Sequence, residues 1–212
     1  MTYSDTGGIV IYLYWFLLLV VTAGSLVFAV LAYRLQKNVF AIASAGALAA
    51  ALFIAAVPSV ATPPAFAIML GLVSIALAVI GGAPMAVLAL NLAMKNSALG
   101  TNGGILVSNP ANSAQPAVPA TTVDAVPGAD ATPAVHEVLR GGLTIGFLER
   151  FAVAGAILLG FPEAIAIVVA IKGVGRFTEL SAPESRERFI IGTFASLIWA
   201  CACAALVHVA VS

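Results

Sequence analysis

Long apolar runs, separated by short polar or proline-containing breaks, dominate the pattern along this chain. The short alternating strands that a transmembrane barrel needs are absent from that pattern. Several runs reach the ~20 residues that a helix needs to cross a ~30 Å hydrocarbon core. The sequence therefore predicts an all-α, polytopic transmembrane helix bundle. Its six predicted spans are residues 9–33, 39–56, 65–94, 140–160, 162–177 and 189–210.

The composition excludes a soluble protein. Charged residues make up 8% of the 212 and apolar residues 62%, with a mean hydropathy of +1.11. A soluble domain averages roughly 25% charged residues, so this chain cannot build a surface that faces water. The net charge is zero and no basic patch exists, which argues against a nucleic-acid partner. The predicted partner is the lipid bilayer.

The breaks between runs predict three regions. Residues 1–95 form a three-helix membrane half, and residues 139–212 form a second half with three further spans. Residues 96–138 contain five prolines and no helical or strand period, which is typical of a linker. Within the first half, the sequence Gly81-Gly82-Ala83-Pro84 interrupts a 30-residue run. It predicts either a kinked helix or a broken helix lining a substrate site, as in some transporters.

The distribution of basic residues predicts the orientation. An outside N-terminus with six spans leaves no basic residue in an external loop, as the positive-inside rule requires. Both termini are then outside and the linker is cytoplasmic. Arg150, the ninth basic residue, lies within the fourth span. The other eight fall in or near the cytoplasmic half: Arg34, Lys37, Lys95, Arg140, Lys172, Arg176, Arg186 and Arg188.

The fourth and fifth spans carry an unusual set of charges. Folding them about Phe161 places Glu149 and Lys172 at equal depth, where pairing is the cheapest arrangement away from water. Arg150 is turned about 100° from Glu149, so it either pairs with another helix or reaches toward water. Arg176 shares a face with Lys172. These four residues are the predicted intramembrane charge network.

Three interpretations of this network remain open. It is an ion-pair lock that fixes the hairpin or binds it to a partner subunit, a proton or ion relay through Glu149, Lys172 and Glu163, or an anionic-lipid site. The lipid site would use basic residues at the inner face. Those residues are Arg176, Arg186 and Arg188.

Small residues predict where helices pack. They let helix backbones approach closely in a membrane. The predicted packing positions are Gly142 and Gly146 in the fourth span, with Gly192, Ser196, Ala200 and Ala204 in the last. Cys201 and Cys203 point about 200° apart and cannot chelate one metal together. Cys201 shares a helix face with His208 at i, i+7, but two possible ligands do not make a metal site, so none is predicted. No cofactor and no catalytic constellation are predicted either.

The same region carries a resemblance. The strings IGFLER at 145–150, FPEAIAIVVAIKGVGRF at 161–177 and ERFIIGTFAS at 187–196 follow an IG-x-LER, K-x-x-x-RF and IGT-x-x-S pattern. This pattern resembles an uncharacterised family of bacterial multi-pass membrane proteins, over about 70 residues. The resemblance implies a bacterial inner-membrane location and supplies no mechanism. The matching positions are Glu149, Arg150, Lys172, Arg176, Gly192, Thr193 and Ser196.

Two functions are expected from these observations. The first is a non-enzymatic structural or accessory subunit of a membrane or envelope complex, with other membrane subunits or a second copy as partners. The alternative is a small transporter or ion/proton channel that uses the Glu149–Lys172 pair together with the break at residues 81–84.

Overall fold

The computed structural model describes residues 3–57, 62–97, 142–175 and 183–212. These residues form six helices and no strand, which confirms the all-α prediction for the described part of the chain. Of the predicted linker, residues 98–138 lie outside the described residues. The helices are α1 (Tyr3–Leu35), α2 (Asn38–Ala55), α3 (Pro64–Ser97), α4 (Gly142–Leu158), α5 (Ala164–Gly175) and α6 (Pro183–Val211).

Four of the described helices are long and apolar enough to cross a bilayer. They contain the stretches Ile9–Leu35, Asn38–Ala55, Pro64–Ala93 and Ser185–Val211. By contrast, α4 has 17 residues and α5 has 12. At 1.5 Å per residue the described parts of these helices extend about 26 Å and 18 Å, and the residues directly before α4 and directly after α5 lie outside the described ranges. The structure thus has the character of a helical membrane bundle, and the last two residues of the predicted fifth span lie outside the described residues.

Helices α1 and α2 pack antiparallel through small polar residues. Near one end, the hydroxyl of Tyr14 donates to the carbonyl of Ile54 at 3.0 Å. Midway, Ser25 and Ser44 are fully buried, and each hydroxyl donates to the other residue's carbonyl, at 2.8 and 2.9 Å. Serine is small enough to let the two backbones approach this closely, and the reciprocal bonds satisfy both hydroxyls away from water.

We expect Ser44→Ala to lower the free energy of unfolding by about 1 kcal/mol, the usual scale of a hydrogen bond between membrane helices. The matched control is Ser74→Ala. Ser74 is equally buried, but its hydroxyl has no hydrogen-bond partner among the described residues, so its removal is expected to be neutral or slightly stabilising. Reversible unfolding in mixed micelles measures both variants. Equal losses would contradict the role assigned to the serine pair.

The most extensive helix contact in the described structure joins α3 and α6. The indole nitrogen of Trp199 donates to the carbonyl of Leu77 at 3.0 Å, and the indole ring lies directly against Gly81. Toward the other end of the contact, Gly192 faces Leu90. Helix α3 is continuous through Pro84, so the broken-helix alternative does not describe this structure. Of the predicted stripe on α6, Gly192 faces α3, and Ser196, Ala200 and Ala204 are buried within the bundle.

Candidate functional site

Glu149 and Lys172 form an ion pair between α4 and α5. The two helices are joined by a short turn in which Gly160 adopts a φ of +77°, a conformation that favours glycine. The chain then reverses, and the ammonium of Lys172 donates to the Glu149 carboxylate. The side chain of Lys172 remains 21% exposed and that of Glu149 13% exposed. The pairing at equal depth that the sequence predicts is therefore present in the structure.

This ion pair ties α5 to the bundle. Helix α5 contains no buried residue, and its packing within the described chain is mainly against α4. The ammonium of Lys172 also lies 5.9 Å from the ring centroid of Phe189 on α6. A cation at this distance from an aromatic face is attracted by the ring quadrupole. Lys172 thus connects three helices.

The predicted relay through Glu163 does not form a continuous path along α5. Glu163 is exposed in the turn that precedes the helix. It lies nine residues before Lys172, or about 13 Å along a helix axis. A direct proton transfer needs donor and acceptor within hydrogen-bond reach or one water apart. The described side chains between these two positions are apolar.

Arg150 is buried between α4, α3 and α6. It is 5% exposed, and its Nη1 donates to the hydroxyl of Ser196 at 3.1 Å. The guanidinium carbon lies 5.4 Å from the ring centroid of Phe147. The Nε atom has no hydrogen-bond partner among the described residues. Of the two sequence-based alternatives for Arg150, the structure shows contact with another helix.

Two glycines make room for this arginine. A Cβ atom at Gly82 would overlap Cδ of Arg150. A Cβ atom at Gly146 would lie 3.2 Å from Nη2 of Arg150. At Gly146, the space that a larger side chain would fill is therefore occupied by the guanidinium group of Arg150, which lies on the same helix.

A cavity of about 290 Å³ lies beside these groups. Three helices, α3, α4 and α6, form most of its wall, and α5 contributes one lysine. Three cations and one carboxylate line it. Its polar side chains are Glu149, Arg150, Lys172, Arg188, Thr193 and Ser196, and its glycines are Gly142, Gly146 and Gly192. The cavity is therefore a basic compartment within an otherwise apolar bundle.

The remaining predicted residues are dispersed. Arg176 lies outside the described residues. Arg186 and Arg188 are exposed in the first turns of α6, and Cys203 is a buried free thiol. Within the described ranges, no group of three His, Cys, Asp or Glu side chains is arranged to hold a metal ion.

Sequence reasoning missed Gly82 and the partner of Arg150. The sequence of the Gly81–Pro84 segment predicts a kink or a break, whereas in the structure Gly82 provides the space for the Arg150 side-chain stem. The available signal was the coincidence of a glycine pair in one span and a mid-span arginine in another. That signal does not identify which helices are neighbours, so it could not have been decisive.

No protein-family model, curated protein or solved structure matches this chain.

Proposed function

We propose that this protein is a non-enzymatic, multi-pass membrane protein that serves as a structural or accessory subunit of a membrane or envelope complex. The observation that carries the proposal is the ion pair between Glu149 and Lys172. This pair of mid-helix charges on α4 and α5 holds α5 against the bundle. Ile165 and Val168 of α5 pack against the core, whereas other apolar side chains of the helix face outward. Ile171 and Val174, for example, are 68% and 78% exposed. Helix α5 then presents an apolar face to another membrane subunit.

Site-specific photocrosslinking tests the accessory role. A photoreactive residue at Ile171 on α5 is compared with one at Ile42 on α2, which is similarly exposed at 58%. We expect a discrete protein adduct in native membranes from position 171 and only lipid adducts from position 42. Lys172→Met should weaken the adduct at position 171, because it releases α5. Lipid adducts alone at both positions would contradict the proposal.

We further propose six spans with both termini outside a bacterial inner membrane. Helix α2 runs antiparallel to α1 and α6 antiparallel to α3, while α1 and α3 run in the same direction. The end of α1 and the starts of α2 and α6 therefore lie at one end of the bundle. Basic residues gather at that end and include Arg34, Lys37 and Arg188. Among the described residues, no Lys or Arg lies at the opposite end. This asymmetry supports a cytoplasmic location for the basic end.

Cysteine labelling tests this orientation. Single cysteines replace Lys37 and Ser212, both exposed, in a background with Cys201 and Cys203 changed to alanine. We expect a membrane-impermeant maleimide to label position 212 in intact cells and position 37 only after permeabilisation. The reverse pattern would show the opposite orientation, and labelling of both positions in intact cells would exclude the proposed arrangement.

The basic cavity favours one second candidate, a small transporter or ion channel. Charged groups inside a membrane bundle commonly mark an ion or substrate pathway. Flux in proteoliposomes decides between the two functions. A proton or ion flux that is abolished by Glu149→Gln and retained by Glu163→Gln would replace the accessory role with transport. The accessory role predicts no flux from either variant or from the unmodified protein.

A further inference from the structure

We propose that the cavity between α3, α4 and α6 binds a phosphate-type oxyanion, with Arg150 at its inner end and Arg188 at its opening. This inference concerns a ligand of the chain itself and does not depend on the accessory role. It rests on the charge of the cavity, on the burial of Arg150, and on the shape that the glycines leave.

The charges of the cavity do not balance internally. Arg150, Lys172 and Arg188 are opposed by a single carboxylate, that of Glu149. That carboxylate is already paired with Lys172. Two positive charges therefore remain on the cavity wall, and a bound anion carrying one or two negative charges would balance them.

Arg150 has the strongest need for an anion. It is 5% exposed, and its described hydrogen bond goes to a neutral hydroxyl, that of Ser196. Its Nε atom is buried without a hydrogen-bond partner among the described residues. Glu149 acts electrostatically on Arg150 but forms its ion pair with Lys172, so the buried guanidinium has no carboxylate of its own. A cation held away from water in this way is costly, particularly inside a bilayer. An oxyanion within reach of the guanidinium would offset that cost.

The shape of the cavity fits a small oxyanion. Arg188 and Ser196 are eight residues apart on α6, so the site extends about 12 Å from its opening to its inner end. Gly142, Gly146 and Gly192 place no side chain into this space. The volume of about 290 Å³ is close to the smallest small-molecule sites, which begin near ~300 Å³. It accommodates a phosphate group and part of its ester.

The donors in the cavity are suited to phosphate chemistry. The planar guanidinium of arginine presents parallel N–H groups that match two oxygens of a phosphate or carboxylate. The cavity contains two arginines and two hydroxyls, those of Thr193 and Ser196, while α3 contributes Ala83 and Ala86 to its wall. The same donor set would bind the phosphate ester of an anionic lipid or free inorganic phosphate from water.

Binding to the purified full-length protein in dodecyl maltoside tests the proposal, and two arms distinguish the sources. Native mass spectrometry compares phosphatidylglycerol with phosphatidylcholine, and calorimetry titrates inorganic phosphate. Arg188→Gln removes an exposed side chain at the opening, which leaves folding intact. The matched control is Arg34→Gln, an exposed arginine at the same end of the bundle that does not line the cavity.

We expect Arg188→Gln to weaken anion binding about tenfold or more, the scale of a lost charge-assisted hydrogen bond, while Arg34→Gln changes it less than twofold. Arg150→Lys keeps the charge but loses the planar fork, and it should weaken binding at least as much. Preference for phosphatidylglycerol with this variant pattern identifies a lipid phosphate, and binding of inorganic phosphate identifies the free anion. Binding of neither anion, or equal losses in Arg188→Gln and Arg34→Gln, would overturn the proposal.

Discussion

Lys172→Met is expected to lower the free energy of unfolding by about 3 kcal/mol, because it removes the ammonium group with which the partly buried Glu149 carboxylate forms its ion pair. Breaking a buried pair by removing one partner typically costs ~3–5 kcal/mol. The lower end applies here, since Lys172 and Glu149 keep 21% and 13% of their surfaces exposed. Reversible unfolding in mixed micelles, followed by far-UV circular dichroism, measures the loss.

The control for this variant is Lys37→Met. Lys37 is an exposed lysine ahead of α2, so losing its charge should change the free energy of unfolding by less than about 0.5 kcal/mol. If Lys172→Met lowers the free energy of unfolding by no more than this, the ion pair does not stabilise the hairpin.

Gly81→Ala is the second large effect, with an expected loss of about 3 kcal/mol in the free energy of unfolding. The new Cβ would lie 2.5 to 2.8 Å from three atoms of the Trp199 indole. That ring is 5% exposed and rigid, so the helices α3 and α6 must separate. Overpacking of this kind costs ~1–3 kcal/mol. The upper end applies because the bond from Trp199 to the Leu77 carbonyl is lost as well.

Gly71→Ala is the matched control on the same helix. A Cβ there meets no atom within 4 Å, so only the intrinsic preference of alanine for helix remains. That preference favours the variant by up to about 1 kcal/mol. Equal free energies of unfolding for Gly81→Ala and Gly71→Ala would contradict the close contact between α3 and α6.

The helical architecture and the charged hairpin could be predicted from sequence for simple physical reasons. Backbone polar groups in lipid are satisfied only in helices or closed barrels. The chain has 8% charged residues and long apolar runs without the alternating strands of a barrel, which leaves helices. Two helices joined by a short turn must place residues equally distant from that turn at the same depth. Glu149 and Lys172 satisfy this condition, and the structure brings them into contact.

The surroundings of Arg150 could not be predicted in the same way. They depend on which helices are neighbours of α4, and the sequence of a single span does not identify its neighbours. Ser196 of α6 and Gly82 of α3 meet at Arg150 although neither helix adjoins α4 through a described turn.

The continuity of α3 through Pro84 illustrates a further limit. Proline removes one backbone hydrogen bond and usually ends a helix in water. Within a membrane bundle, neighbouring helices and local adjustments compensate for that loss. The same residues therefore predict both a kinked and a broken helix, and the structure shows that α3 is continuous.

The central claim is that Glu149 and Lys172 stabilise the hairpin as a pair, and a double-mutant cycle measures this directly. The cycle compares the unmodified protein with Glu149→Gln, Lys172→Met and the double variant. The claim predicts that the double variant loses about 2 kcal/mol less than the two single losses added together, within the range seen for contacting residues. Losses that add to within about 0.5 kcal/mol would contradict it.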